Sequence, residues 1–149
     1  AQVAARAVGK ATLVMDMCLE YVRQRQQFNT SLGDFQLIQK MLADSAIEIN
    51  ACRISLWQIA SRIDAGDEMR AGISMLKIQA SEMLDRVVDR AVQIFGGAGY
   101  CADLPIERYY RDARISRIYD GTSEIHRVVI AKELIQGNNS LYDSFGKLP

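Results

Sequence analysis

The sequence predicts an all-α protein, an antiparallel four-helix bundle, and three observations lead to this fold class. Apolar residues recur at steps of three and four over long segments, which is the spacing of one face of a helix. The sequence shows no strand-like alternation of apolar and polar residues. Short connections separate the helical segments, and such connections place consecutive helices antiparallel. At 149 residues, the chain corresponds to about one domain.

The first predicted helix is apolar on almost every side, which is typical of a mostly buried helix. It covers the segment AARAVGKATLVMDMCLEYVRQRQQF, from Ala4 to Phe28. The residues predicted to face inward are Val8, Ala11, Val14, Met15, Cys18 and Val22.

The second predicted helix carries one continuous apolar face. Either Asp34 or Ser31 caps its start, and Gly66 ends it. The residues of this face are Phe35, Ile38, Leu42, Ser45, Ile49, Cys52, Leu56, Ile59 and Ile63.

The third predicted helix runs from Met69 to Phe95 and ends at the glycines of GGAGY. A shorter helix follows, with Leu104 and Pro105 as its cap and first position. The last helix, EIHRVVIAKELI, begins at Ser123. The inward stripe predicted for the third helix is Leu76, Ala80, Met83, Leu84, Val87, Ala91 and Ile94.

The predicted bundle covers residues 1–137, and we expect the polar, turn-rich tail at residues 138–149 to be frayed. The chain starts without a methionine and directly in a helical pattern, so we expect it to be a piece of a longer protein.

Composition excludes several classes of protein. The 18 basic residues balance the 18 acidic ones, and no apolar run reaches the length of a bilayer span. We therefore expect a soluble, intracellular protein that binds neither nucleic acid nor membrane. The 3 cysteines lack the paired spacing of a zinc site, and the 1 histidine, His126, is too few for most metal sites. We predict no metal.

The segment RQRQQF, Arg23 to Phe28, is the first candidate binding element. If it is helical, Arg25 and Phe28 lie on the same side of a turn, where a guanidinium binds a phosphate while the ring stacks on a base. In the alternative interpretation, the arginines are favourable charges at a helix C-terminus and Phe28 packs into the core. On this segment alone, the alternative is preferred.

The second candidate element is QIFGGAGY, Gln93 to Tyr100. Adjacent glycines allow a positive φ and let a ligand approach the backbone, and the Gln93 amide can bind a polar ligand edge. The alternative is a helix C-terminus followed by a glycine turn. The two interpretations are equally supported.

The third candidate element is IYDGTSEIHR, Ile118 to Arg127. Asp120 precedes a helix, and aspartate is among the best N-cap residues. The alternative is a carboxylate that acts as a base beside an exposed backbone amide. Taken alone, this segment favours the cap.

In their order and spacing, the three elements together resemble the C-terminal domain of the acyl-CoA dehydrogenase family, over Ala4 to Ile135. Arg25 and Phe28 match the family's arginine-and-phenylalanine element, and Gln93 with its glycines matches Gln-x-x-Gly-Gly. The segment YRDARISRIYDGTSEIHR matches the family's closing signature.

The resemblance implies a flavoenzyme that holds FAD between a middle β domain and this helical domain, assembled as a homodimer or homotetramer. It also implies a location in the cytoplasm of a bacterium or in the mitochondrial matrix of a eukaryote. A neighbouring subunit contributes to the same flavin nucleotide. Thr122 and Glu124 are then expected to face the FAD of their own subunit. The residues expected to contact the neighbour's FAD are Arg25 at the pyrophosphate, Phe28 at the adenine, Gln36, Gln93, Gly96 and Gly97.

The resemblance also implies that Asp120 is the catalytic base. Many members have a glutamate here, which removes the α-proton of an acyl-CoA thioester while hydride leaves the β-carbon for the flavin; this chain has the shorter aspartate. Desolvation strengthens such a base, and the Asp120 amide would bind the thioester carbonyl. Tyr119 and Gly121 are expected to line the acyl pocket, and an electron-accepting flavoprotein is an expected partner.

Two rival functions can be compared with this one. A ferritin-like di-iron bundle needs inward Glu-x-x-His pairs from two helices, which one histidine cannot supply. A helical oligomerisation or interaction module derived from the same family, without activity of its own, remains the alternative. Even if the family reaction applies, we expect this domain alone to be inactive, because the β domain that covers the other face of the flavin lies outside it.

Overall fold

The computed structural model describes residues 1–137, and these form a helical bundle, which confirms the predicted fold class. A small hairpin of β1 (Gln26–Gln27) and β2 (Thr30–Ser31) and a 3₁₀ turn (Leu32–Asp34) link the first two helices. The tail expected to be frayed, residues 138–149, lies outside the described residues. The helices are α1 (Gln2–Gln24), α2 (Gln36–Asp64), α3 (Arg70–Phe95), α4 (Gly97–Tyr100), α5 (Ile106–Ile115) and α6 (Ser123–Ile135).

Side-chain contacts show that α2 and α3 run antiparallel. Arg86 donates to Glu48 at 2.7 Å, and Arg90, one turn further along α3, donates to Ser45 at 3.3 Å, earlier on α2. The hairpin between α1 and α2 reverses the chain in the same way, so α1 and α3 point in one direction. Within the described residues, no helix is both long and apolar enough to cross a bilayer.

The core is built around α3, which contacts α1, α2, α5 and α6. Every residue predicted for its inward stripe is buried, from Leu76 to Ile94. Ser81 and Val88, outside that stripe, are buried as well. Because a helix buried on this many sides is closely packed, it holds the residues at its two ends in fixed positions.

Helices α1 and α2 are less enclosed than α3. On α1 the predicted inward residues are buried except Met15, which is half-buried. On α2 only part of the predicted face is buried, because this helix packs against α1 and α3 on one side. Its other side leaves Ile47, Ile54 and Trp57 exposed by 68%, 58% and 69%.

The 3 cysteines differ in their surroundings. Cys18 and Cys52 are buried in the core, and burial raises the pKa of the Cys18 thiol to about 12 and that of Cys52 to about 11. Both are therefore protonated at neutral pH and act as small apolar side chains. Cys101 is exposed in the turn after α4.

The first helix ends at Gln24, so the prediction that it continues to Phe28 was wrong. Arg25 is extended, and the chain then reverses through the hairpin, whose strands are too short to show any alternation in sequence. Ser31 donates its hydroxyl to Val22 O at 2.9 Å, and Leu32 N donates to Arg25 O at 2.9 Å. The first bond satisfies the Val22 carbonyl, which the end of α1 leaves free, and the second satisfies the carbonyl of Arg25 just after the helix.

The predicted helix caps were partly wrong. Phe35 precedes α2 without a side-chain cap bond, and Ser31 instead accepts from Gly33 N in the 3₁₀ turn. Pro105 is the N-cap of α5 and not its first residue. Gly66 ends α2 as predicted, with φ of 91°.

The N-cap of α6 is Thr122 and not Asp120. The Thr122 hydroxyl accepts from Ile125 N at 3.2 Å, whereas Asp120 lies two residues earlier in the left-handed region, with φ of 53°. An N-cap residue has extended backbone angles, as Thr122 does. The structure therefore removes the local explanation that the sequence favoured for Asp120.

Adjacent residues at the start of α6 give a matched pair for measuring this cap. Thr122→Ala should lower the free energy of unfolding by about 0.5–2 kcal/mol, because it removes the cap. Ser123→Ala should change it by less than about 0.5 kcal/mol, because the buried Ser123 hydroxyl has no hydrogen-bond partner among the described residues. Urea unfolding of both variants measures the difference, and equal losses would contradict the assignment.

Candidate functional site

The residues predicted from sequence gather in two places, at opposite ends of α3. The Asp120 loop is bound by Lys77 near the start of the helix, whereas the glycines Gly96 and Gly97 follow its end. At about 1.5 Å per residue, Lys77 and Gly96 are about 28 Å apart. The two groups therefore form two separate candidate sites.

The first site is a cavity of ≈ 460 Å³ where the ends of α1 and α3 meet. The rings of Tyr21 and Phe95 stack with their centroids 4.1 Å apart, and the Tyr21 hydroxyl donates to Phe95 O at 3.5 Å. This contact holds the two helix ends together. It brings Arg25 to the same cavity as Gly96 and Gly97.

Arg25 and Phe28 are both displayed to the exterior at this site. Arg25 is exposed, and its guanidinium has no ion-pair or hydrogen-bond partner among residues 1–137. Phe28 is 89% exposed at the hairpin tip, so the interpretation that it packs into the core was wrong. Phe28 and Asn29 have φ of 54° and 60°, a left-handed conformation that costs a residue such as phenylalanine about 1–2 kcal/mol.

The glycines after α3 have different reasons to be glycine. Gly96 has φ of 60°, and a Cβ on Gly99 would lie 2.7 Å from Phe95 Cβ, so turn geometry and packing explain these two. Neither reason applies to Gly97, whose φ is not positive and which has no atom within 4 Å of where its Cβ would be. An open backbone at Gly97 suits close approach by a ligand.

The two predicted glutamines are less directly placed. Gln36 is the first residue of α2 and Gln93 lies in the last turn of α3, and both side chains are exposed. Neither lines the cavity.

The second site is a pocket of ≈ 280 Å³ lined by Asp120, the first residues of α1, Ile73, Lys77 and His126. Asp120 and Gly121 are consecutive left-handed residues, with φ of 53° and 92°. Asp120 is exposed, so the described chain does not by itself supply the apolar enclosure expected around a base.

Three side chains that the sequence interpretation missed support the Asp120 loop, two of them directly and Ser74 through His126. Lys77 Nζ donates to Gly121 O at 2.6 Å, and the His126 ring lies 3.1 Å from Asp120 O through Nε2 and 3.0 Å from the Ser74 hydroxyl through Nδ1. Ser74 and Lys77 are polar residues one turn apart among the buried residues of α3, and this was the available indication.

Lys77 is only 5% exposed. Burial lowers the pKa of its ammonium group, while the nearby carboxylates of Asp120 and Glu124 act in the opposite direction. A buried cation at this position is held by the carbonyl it binds and by the negative charge at the loop.

The other residues predicted around Asp120 lie apart from its pocket. Tyr119 lines a smaller cavity of ≈ 100 Å³ against α1. Glu124 is at the start of α6, where hydrogen bonds from its own amide and from the Thr122 hydroxyl lower its pKa. Thr122 and Glu124 thus take part in the helix start, and Gly121 offers its carbonyl to Lys77.

Comparison with known proteins identifies the architecture. The family model for the acyl-CoA dehydrogenase C-terminal domain matches residues 1–135. A probable acyl-CoA dehydrogenase of Mycobacterium tuberculosis is 42% identical over 135 residues, which is 90% of this chain and 35% of that protein.

Two solved structures show the same arrangement of helices. Butyryl-CoA dehydrogenase from Megasphaera elsdenii matches with a TM-score of 0.87 and 38% identity, over 89% of this chain and 35% of that one. The FAD complex of PigA matches with a TM-score of 0.84 and 32% identity, over 88% of this chain and 34% of that one.

The chain spans about one third of the length of the relatives it matches, 35% of the Mycobacterium tuberculosis protein. Within that third, the match to the family model extends from the first residue to the end of α6. The chain therefore belongs to the acyl-CoA dehydrogenase family, to which it contributes the C-terminal helical domain.

Proposed function

We propose that this chain is the C-terminal part of an FAD-dependent enzyme that removes hydrogen from the α- and β-carbons of an acyl-CoA thioester. The observation that carries the proposal is the position of Asp120, a carboxylate in a left-handed turn at the edge of a pocket, with no capping role. Relatives named as acyl-CoA dehydrogenases support the reaction class.

The cavity at the ends of α1 and α3 fits the nucleotide part of FAD. Its lining includes the free guanidinium of Arg25 and the uncovered backbone of Gly97, and the exposed ring of Phe28 lies in the adjoining hairpin. In the proposed complex, Arg25 binds the pyrophosphate, and Phe28 packs on the adenine. The exposed amides of Gln36 and Gln93 are available to the same nucleotide from the rim. When bound, FAD supplies the acceptor for the hydride that leaves the β-carbon.

The separation of the two sites by about 28 Å supports a division of labour between subunits. Thr122 and Glu124, beside Asp120, face the flavin of their own subunit, and the Arg25 cavity takes the nucleotide of a neighbour. This arrangement requires a homodimer or homotetramer. The exposed Ile47, Ile54 and Trp57 of α2 offer apolar surface for such an assembly. An electron-accepting flavoprotein is the proposed partner that reoxidises the cofactor.

In the proposed mechanism, the Asp120 carboxylate takes the α-proton of the acyl group. The backbone amide of Asp120 donates to the thioester carbonyl and stabilises the negative charge that develops there. Gly121 and Tyr119, which lines the separate cavity against α1, take the proposed role of contacting the acyl chain. Asp120 is exposed in the described chain, so other domains must exclude water and desolvate this base.

Because both candidate sites are open, the 149-residue chain alone should have no dehydrogenase activity. An anaerobic assay of the purified chain with added FAD and acyl-CoA thioesters of several lengths checks this expectation. Any turnover above the rate of free FAD would contradict it.

Asp120→Asn tests the base in the full-length, FAD-loaded protein. Asparagine tolerates the left-handed backbone and keeps the amide, but it cannot accept the proton, so flavin reduction by acyl-CoA should slow by about 10²–10⁴-fold. The thermal midpoint should hardly move, because Thr122 and not Asp120 caps α6. Stopped-flow bleaching and thermal unfolding on one preparation give both values, and a wild-type bleaching rate would place the base elsewhere.

Gly97→Ala and Gly99→Ala test the nucleotide site as a matched pair. Gly97→Ala adds a methyl group into open space, so the fold should be unaffected while FAD binding weakens. Gly99→Ala collides with Phe95 and should cost about 1–3 kcal/mol of stability. FAD titration and thermal unfolding distinguish the two effects, and unchanged FAD affinity in Gly97→Ala would count against the site.

A further inference from the structure

We propose that Lys77, His126 and Ser74, here called the loop clamp, are positioning residues that set the direction of the Asp120 carboxylate. The inference rests on the proposed function for its catalytic consequence. Its structural part, that the clamp holds the Asp120–Gly121 backbone in one conformation, depends only on the contacts of the described residues.

The clamp binds two successive carbonyl groups from two different helices. His126, on α6, binds Asp120 O, and Lys77, on α3, binds Gly121 O at 2.6 Å. These carbonyls belong to the peptide groups on either side of Gly121. Holding both peptide planes fixes φ and ψ of Gly121. The plane between Asp120 and Gly121 is also one of the two planes that set the direction of the Asp120 Cα–Cβ bond, so holding it restrains the side chain.

The hydrogen bonds also place one proton on the His126 ring. A carbonyl oxygen only accepts, so Nε2 carries the proton that it donates to Asp120 O, and in the neutral ring Nδ1 accepts from the Ser74 hydroxyl. Ser74 is 4% exposed, so it holds the ring from within the core. The ring lies directly under Gly121, where a Cβ would be 3.0 Å from Nε2.

A lysine at position 77 would be unfavourable if its only role were to pack in the core. Its neighbours on α3, such as Leu76 and Ala80, are buried and apolar, and a buried cation is disfavoured unless it is paired. Its ammonium group instead spans from the core to a loop carbonyl and to the charges of Asp120 and Glu124. A lysine placed among buried apolar residues and bonded to a loop carbonyl points to a task beyond packing.

The clamp is needed because the loop conformation is not preferred by itself. Asp120 is a non-glycine residue with φ of 53°, and rotation of the peptide group after it would move the side chain without breaking any helix. Asp120 and Gly121 are exposed, so water can replace the lost donors. Without the clamp, the carboxylate samples directions away from the pocket, and a misplaced base loses rate steeply.

The test compares Lys77→Met and His126→Leu with Arg127→Met in the full-length, FAD-loaded protein. Arg127 is the next residue on α6, and it is exposed and pairs with Glu82, so it is a control outside the clamp. The first measurement is hydrogen–deuterium exchange of residues 117–124 without substrate. We expect faster exchange in this segment for the two clamp variants, no change in α1 and α3, and wild-type exchange for the control.

The second measurement is flavin reduction by saturating acyl-CoA per bound flavin, together with acyl-CoA affinity and the thermal midpoint. The clamp variants should slow reduction by about 10- to 100-fold, with affinity and thermal midpoint near wild type. His126→Gln, whose amide can still donate to Asp120 O, should restore most of the rate. A purely structural role predicts a lower thermal midpoint with normal reduction per flavin.

Wild-type exchange in both clamp variants would overturn the proposal, as would wild-type reduction rates. If Lys77→Met fails to fold, the comparison of His126→Leu with His126→Gln decides, and equal rates for these two would overturn it. The flavin reduction rate of Asp120→Asn, measured alongside the clamp variants, separates this inference from the proposed function. A wild-type rate in that variant refutes the base, and so the catalytic part of the clamp, while loop exchange still tests its structural part.

Discussion

Burial of α3 along its whole length is the constraint on which the rest of the structure depends. Helices α1, α2, α5 and α6 pack against it, and its side chains fill the core from Leu76 to Ile94. A close-packed helix of this kind cannot shift or bend without opening cavities. Its two ends are therefore held at a set distance, and each end carries one of the candidate sites.

At the C-terminal end of α3, an aromatic contact fixes the position of the neighbouring surface segments. The Tyr21 and Phe95 rings stack where α1 and α3 end together, so the hairpin that follows α1 lies over the glycines that follow α3. Arg25 and Gly97 become neighbours although 72 positions separate them in the printed sequence. The proposed nucleotide site is thus a by-product of helix packing plus two local chain reversals.

Backbone strain among the described residues coincides with the candidate sites. The non-glycine residues with positive φ are Phe28 and Asn29 in the hairpin that adjoins the proposed nucleotide cavity and Asp120 at the second pocket. Such conformations persist only where surrounding contacts hold them, and they concentrate at functional sites. For Asp120 these contacts are Lys77 and His126, and for the hairpin they are the bonds from Ser31 and Leu32 to the end of α1.

The sequence by itself determined the fold class, the core stripes of α1 and α3, and the end of α2 at Gly66. These features depend on local periodicity and on single residues with strong backbone preferences, so they can be read without knowing what lies opposite. The resemblance of three short elements likewise indicated the family that the comparisons show. The same resemblance nominated Arg25, Gly97 and Asp120 as site residues, and these assignments stay predictions.

Only the tertiary structure decided where α1 ends, that Thr122 and not Asp120 caps α6, and that Phe28 is exposed. It alone brought Lys77 to Gly121 and Ser74 to His126, pairs separated by 44 and 52 positions. Helical periodicity is silent about such contacts, because it reports which face of a helix is apolar and not which loop lies across from it. In the proposed clamp, the direction of the Asp120 side chain depends on hydrogen-bond donors that are distant in sequence, so it is set only in the folded protein.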